Sequence, residues 1–442
     1  MDKNGGFIQN NIYMVKKEKI EVEKNSVKKI QTAKKQNLKV EEKTIETKVE
    51  LKTENDEKKG GADEKKVEIK KPPFLYLTTQ KRIKELEIEL GCPVLVYFKP
   101  SNSNIWTEDM YAILECFKII GKQKKLALYI RSDGGSGMTS LRIINLLRSY
   151  VGELILLAPS ECASAATMLA LGCDEIQMGP VSSLSPVDSS LTHSLSPVDK
   201  FNNKVPVSLD ELWRVLRLWH EADGTNGDGG DQENSTNLEK MEIQDNLDHQ
   251  NNQQNVKNNI QALNNSAKSA SSNENPYKYL YNYIHPMVFG AVDRYSSLSV
   301  RICKEILSYH ITDTLKIDKI NKSLNYDYPA HGYPIMLKEA QKLGLPATRI
   351  GDRALEILNH LQLLYNETSN PQITDFSQTN YHNNSILSII EADGLQIVYE
   401  SNYDKHYLPE EKRYITLNDE SCWIKTERKS KKGKVNRKKI YF

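Results

Sequence analysis

Residues 125–178 read KLALYIRSDGGSGMTSLRIINLLRSYVGELILLAPSECASAATMLALGCDEIQM. Two continuous apolar runs, Lys125–Arg131 and Glu153–Pro159, enclose the helical-period stretch Met138–Val151. A small-residue segment, Cys162–Gly172, leads to a third short run, Glu175–Met178. Strand, helix and strand at this spacing predict βαβ units and a parallel sheet. Strands of such a sheet are covered on both faces, which accounts for runs that do not alternate with polar residues.

The same pattern extends outward. Upstream, Cys92–Phe98 (CPVLVYF) reads as another buried strand, and Trp106–Ile120 as a helix with Thr107 at its N-cap. Downstream, Ser208–Glu211 is a capping box that predicts a helix to His220. Tyr277–Tyr309 is helical in period and broken near Pro286. Met336–Leu345 and Arg353–Glu367 predict two more helices. Leu387–Glu400 predicts a hairpin turning at Asp393-Gly394.

Composition limits how much of the chain packs. Of 442 residues, 38% are hydrophobic, and the mean hydropathy is −0.58. A folded chain usually holds roughly 45–50% apolar residues, so one core with unstructured additions is expected rather than two or three domains. Residues 1–72 are rich in Lys and Glu and are expected to form a disordered arm. Residues 222–275 are an Asn/Gln-rich insertion, also expected to be disordered. Around the insertion, 73–350 is expected to form the main folded domain and 351–424 a small C-terminal extension. Residues 425–442, with nine Lys/Arg and one acid, are expected to form a solvated basic tail.

Charge and cysteine narrow the function classes. With 60 Lys+Arg against 58 Asp+Glu, the net charge of +2 excludes a globally basic nucleic-acid binder. No stable nucleic-acid or membrane partner is expected, only weak contact through the basic tail. Six Cys without a CxxC pair exclude a disulfide scaffold and a Cys-rich zinc site. No metal and no cofactor is expected, and without a Walker motif ATP is not consumed. The N-terminus has no apolar core of a secretory signal, and Leu154–Gly172 carries too many small and polar residues for a span. A cytoplasmic protein is expected.

Three segments carry chemistry. In SDGGSG, adjacent glycines between a strand and a helix let backbone N–H groups approach a ligand. In PSECASAATMLALGCDEI, Ser164 lies among small residues at the start of an apolar helix, a setting that suits a nucleophile and equally suits close helix packing. A nucleophilic Ser needs a base and the base an orienting carboxylate. His331 stands in the loop Ala330-His331-Gly332-Tyr333-Pro334, and Asp188 ends the first of two LSPVD segments.

These three segments, YIRSDGGSGMTSLRIINLLRSY, LLAPSECASAATMLALGCDEIQMGPVSSLSPVD and HGYPIMLKEAQKLGL, resemble the serine dehydrogenase proteinase family. That family belongs to the Clp-protease/crotonase-like superfamily and is related to signal peptide peptidase A. The likeness covers roughly residues 90–200 and 275–350. It implies an α/β fold, a Clp-protease/crotonase-like spiral of βαβ units with a mostly parallel sheet, helical additions and a C-terminal hairpin. It further implies an ATP-independent serine endopeptidase acting on a peptide or protein substrate, and a homo-oligomer. Residue by residue, it implies Ser164 as nucleophile, Asp188 as orienting acid, His331 as base, and Gly134, Gly135 and Ala165 around the oxyanion. Asp133 stands where the family's turn carries Pro. The repeat of LSPVD leaves Asp199 as a rival acid and His193 as a rival base. An inactive Clp-like scaffold and a crotonase-like acyl-CoA enzyme are the alternative functions.

Overall fold

A computed structural model describes residues 68–188, 190–197, 204–205, 207–208, 212, 284–428 and 435–442. The expected insertion, residues 1–67 of the expected arm and nearly all of the helix expected to His220 lie outside the described residues.

The fold is α/β, built on one large mixed sheet. In chain order α1 (Tyr76–Leu90) precedes β1 (Val94–Phe98), α2 (Thr107–Ile120), β2 (Gln123–Arg131), α3 (Gly137–Tyr150) and β3 (Val151–Ala158). Next come β4 (Glu161–Cys162), α4 (Ala165–Leu171), β5 (Glu175–Met178) and β6 (Ser183–Leu184). The short pair β7 (Ser190–Leu191) and β8 (Val207–Ser208) follows. After the undescribed segment come α5 (Pro286–Leu307), α6 (Thr314–Lys322), α7 (Leu337–Lys342), β9 (Ala347–Arg349) and α8 (Asp352–Ser369). The C-terminal strands are β10 (Gln372–Asp375), β11 (Tyr381–Ala392), β12 (Leu395–Leu408), β13 (Arg413–Leu417), β14 (Cys422–Arg428) and β15 (Val435–Ile440).

The sheet order is β15-β14-β12-β11-β1-β2-β3-β5-β9, with β10 on β11 and β13 on β12. From β1 to β9 every pairing is parallel, as the βαβ spacing predicts. Successive residues of these strands face opposite sides, so two cores form. Leu95, Leu128, Leu156 and Ile176 pack under α2 to α7. Val96, Tyr129 and Leu157 pack on the other side, with Ile83 of α1 and Leu358 and Leu361 of α8. Pro286 opens α5, because a first-turn Pro lacks only an N–H that would have no partner there; residues 277–283 of the expected helix lie outside the described residues.

Two expectations are corrected. Residues 351–424 are not a separate extension: β11 pairs antiparallel with β1, and α8 covers one face of the same sheet. The Asp393-Gly394 hairpin forms as expected, between Ala392 and Leu395. Nor is 425–442 a solvated tail as a whole. Lys425–Arg428 completes β14, and β15 pairs with it along the edge. Lys425 lies near Glu115 and Glu427, Arg437 reaches Glu400, and Phe442 packs on Trp423 and Tyr111. Ladder hydrogen bonds and ion pairs to strand and helix hold these residues, so a strand forms without apolar alternation. Lysines on such an edge also discourage further strand pairing. Among the described residues, no helix is long and apolar enough to cross a membrane.

Two buried polar nodes lock the layers. Asp109, fully buried in α2, accepts from Tyr97 Oη (2.7 Å), Ser388 Oγ (2.8 Å) and the Trp106 N–H (3.0 Å), and pairs with Lys99 Nζ at 3.0 Å. Burial lowers the Lys99 ammonium to about 8 even with this partner. Glu391 of β11 accepts from Thr79, Gln80, Tyr365 and Gln396, joining α1 and α8 to the sheet. Burial raises the Glu391 carboxyl above its ordinary 4.5 despite these donors. The folded chain therefore holds a proton that the unfolded chain releases first. This contribution is full below the unfolded value and is lost as pH rises through the folded one. Urea unfolding of wild type and Glu391→Gln across pH 4–8 should show that decline in the wild type and its loss in the variant. Identical pH dependence in both would contradict the assignment.

Candidate active site

The site forms where the segments after β2 and β3 run beside each other. The Ser132 N–H donates to the Glu161 carbonyl (3.0 Å), and the Ala163 N–H to the Ser132 carbonyl (2.9 Å). This parallel tie sets the glycine turn against Ser164. A Cβ on Gly134 would lie 2.7 Å from the Ser164 Cβ, and one on Gly135 would lie 2.3 Å from the Ile105 nitrogen. Both glycines also have positive φ, 115° and 139°. The double glycine is therefore demanded by space and by backbone angle together.

Ser164 is the N-cap of α4 with φ 52° and ψ −119°, an unfavourable conformation for a residue with a Cβ. Its surroundings hold it there. The Ser164 N–H donates to Ser185 Oγ at 2.7 Å, and the Ser185 N–H donates to Thr167 Oγ1 at 3.0 Å. Thr167 Oγ1 in turn donates to the Cys162 carbonyl at 2.8 Å. Among the described residues the Ser164 Oγ makes no hydrogen bond, and the Ala165 N–H meets no acceptor. The hydroxyl is thus left available to a ligand.

The β4–β6 pairing lays Ser183 and Leu184 beside Glu161 and Cys162, directly before the segment from Ser185 to Asp188. Asp188 is fixed through its neighbour Val187, whose N–H donates to the Leu324 carbonyl and whose carbonyl accepts from Ser299 Oγ. The loop bearing His331 is brought alongside by a bridge between Leu184 and Ile335, with reciprocal N–H to O bonds of 2.9 Å. Across 143 residues of sequence, the His331 Nδ1 and Asp188 Oδ1 stand 2.8 Å apart. The carboxylate can only accept, so Nδ1 carries the proton of this bond.

One cavity of about 500 Å³ is lined by Ser164, Asp188, His331, Gly135 and Ala165 together. Met138, Met168, Leu298 and Ile302 give the same cavity an apolar part. The structure thus brings together the residues expected as nucleophile, base and acid. The two glycines part company: the Gly134 N–H donates to Ser132 Oγ (3.1 Å), while the Gly135 N–H has no acceptor among the described residues. Gly134 shapes the turn and Gly135 offers the donor. The rival residues are not brought in. His193 does not line this cavity, and its Nδ1 accepts the Leu195 N–H at 3.1 Å within a local turn. Asp199 lies outside the described residues.

Sequence reasoning passed over Ser185, Ser299 and Arg131. Ser185 sits inside the quoted LSPVD segment, but nothing in its type distinguishes it from the neighbouring serines. Arg131 was read only as the last residue of a strand. Its guanidinium pairs with Asp133 through both terminal nitrogens, at 3.1 and 3.3 Å.

No family model matches the chain. Over 93 residues, 21% of its length, the chain is 30% identical to an uncharacterised protein of Methanocaldococcus jannaschii, and this covers 32% of that protein. The chain thus spans about a third of the length of this relative.

Gly134→Ala should destabilise the fold by about 1–3 kcal/mol, since the residue would take a disfavoured φ and press on Ser164. Thermal unfolding of the variant measures this, and an unchanged midpoint would contradict the packing described for the turn.

Proposed function

We propose that the chain is a serine hydrolase cleaving peptide bonds, with Ser164 as nucleophile, His331 as general base and Asp188 as the carboxylate that orients it. The single observation that carries this reading is the hydrogen-bonded Asp188–His331 pair sharing one cavity with Ser164.

The chemistry follows from the positions. Substrate binding draws Oγ and Nε2 into hydrogen-bond reach, a contact that is commonly loose in a ligand-free site. His331 takes the Ser164 proton as Oγ attacks the peptide carbonyl. The N–H groups of Gly135 and Ala165 stabilise the tetrahedral oxyanion. Asp188 stabilises the imidazolium, which then protonates the leaving amine. Water, activated by His331, attacks the acyl-enzyme and frees Ser164.

The wider expectations take their place beside this reading. The motifs support a serine dehydrogenase proteinase, and the run of parallel βαβ units supports the finer Clp-protease/crotonase-like spiral. A homo-oligomer acting on peptide or protein substrates without ATP fits the same reading. Six free, buried cysteines support a reducing, cytoplasmic setting. An acyl-CoA substrate is less well served: among the described residues the titratable side chains lining the cavity are Asp133, Asp188, His331 and Tyr295, with no Lys or Arg to meet phosphates. The inactive-scaffold alternative is decided by assay.

Hydrolysis of an unfolded protein substrate should fall about 10⁴-fold or more in Ser164→Ala and in His331→Ala, as in other triads. His193→Ala should retain the wild-type rate. Hydrolysis that survives Ser164→Ala would overturn the proposal, and loss of activity in His193→Ala alone would transfer the role of base to His193.

A further inference from the structure

A carboxylate beside an oxyanion site is a chemical liability. Asp133 immediately precedes the two glycines and lines the same cavity as Ser164, with its side chain 40% exposed. An uncompensated negative charge there would oppose the negative charge that develops on the tetrahedral intermediate. The carboxylate is not uncompensated. Arg131 Nη2 lies 3.1 Å from Oδ1 and Nη1 lies 3.3 Å from Oδ2, a forked pairing that fixes direction as well as charge. The same guanidinium is anchored from behind: Nη1 donates to the Lys99 carbonyl (2.7 Å) and Nη2 to Ser101 Oγ (2.9 Å). Its Nε lies 3.7 Å from Glu161, next to the Cys162–Ala163 approach to Ser164. The Arg131 side chain is only 9% exposed, so its charge is directed at the turn rather than spent on solvent.

Resting on the reading of Ser164 as a nucleophile, we propose that Arg131 is a positioning residue for the oxyanion site. It acts through Asp133, holding that carboxylate back from the place where the oxyanion forms and steadying the turn that offers the Gly135 N–H. Arg131 does not line the cavity, so it acts without touching substrate. Two of its other contacts, to Lys99 and Ser101, belong to the loop after β1 and are purely structural. The two roles make different predictions about Asp133. If the essential act is to control the carboxylate, losing Arg131 is harmful only while the carboxylate is present. If Arg131 merely braces the loop, removing the carboxylate repairs nothing.

The rate of labelling of Ser164 by a fluorophosphonate separates these cases. Arg131→Gln should slow labelling on the order of tenfold or more, a fraction of the loss of a whole oxyanion donor. The double variant Arg131→Gln with Asp133→Asn should recover most of that rate. Arg131→Lys, which keeps a cation without the fork, should fall between wild type and Arg131→Gln. Thermal unfolding of each variant identifies any loss that is due to misfolding. Should Arg131→Gln fail to fold, the wild type, Arg131→Lys and Arg131→Lys with Asp133→Asn give the same comparison. Labelling of Arg131→Gln at the wild-type rate, or a defect that Asp133→Asn leaves unrepaired, overturns the proposal while the nucleophile assignment stands. Absence of any labelling in the wild type overturns that assignment instead.

Discussion

Everything at the site depends on the close approach of two loops that leaves no room for a Cβ at Gly134. The chain leaving β2 and the chain leaving β3 hydrogen-bond to each other through Ser132, Glu161 and Ala163. That tie forces the turn against Ser164, and a side chain in the turn would push the two apart. The contact is backed from a distance. Asp109 binds the Trp106 N–H and Lys99, which fixes the loop after β1, and Ile105 of that loop pairs with the glycine turn on its other side. A fully buried ion pair between Lys99, just after β1, and Asp109 of α2 thus helps to set the position of a backbone turn.

The same logic brings in the partners. Ser185 holds the Ser164 backbone and lies three residues before Asp188, so one short segment both strains the serine and delivers the carboxylate. The Leu184–Ile335 bridge then docks the histidine loop onto that segment. Residues from three parts of the chain meet at one cavity because each is tied to the next by backbone hydrogen bonds rather than by side-chain contacts alone. Such ties give the fixed geometry that catalysis requires and that a flexible loop would not supply.

The parallel half of the sheet was legible in the sequence because strands buried on both faces leave continuous apolar runs, as in Leu154–Ala158. The asparagine and serine residues of β11 and the basic alternation of β15 leave no such run, so the antiparallel half was visible only at its Asp393-Gly394 turn. Ser164 stood out by its small neighbours, but that setting suits helix packing equally, and its reading as nucleophile came from the resemblance. Asp188 and His331 came from a resemblance, since no local pattern joins residues 143 positions apart. Arg131 was not legible at all: its role arises from a side chain folding back over the turn that follows it. The division of the glycines was equally hidden, because which N–H is used by Ser132 is a matter of dihedral angle and not of residue type.

The central claim is that Ser164 is a nucleophile activated by the histidine that Asp188 orients. The most direct test is mass-spectrometric mapping of the full chain after reaction with a fluorophosphonate. A single adduct on Ser164, lost in His331→Ala and retained in His193→Ala, is the result this account predicts. An adduct on another residue, or an adduct on Ser164 that forms at the same rate without His331, would contradict it.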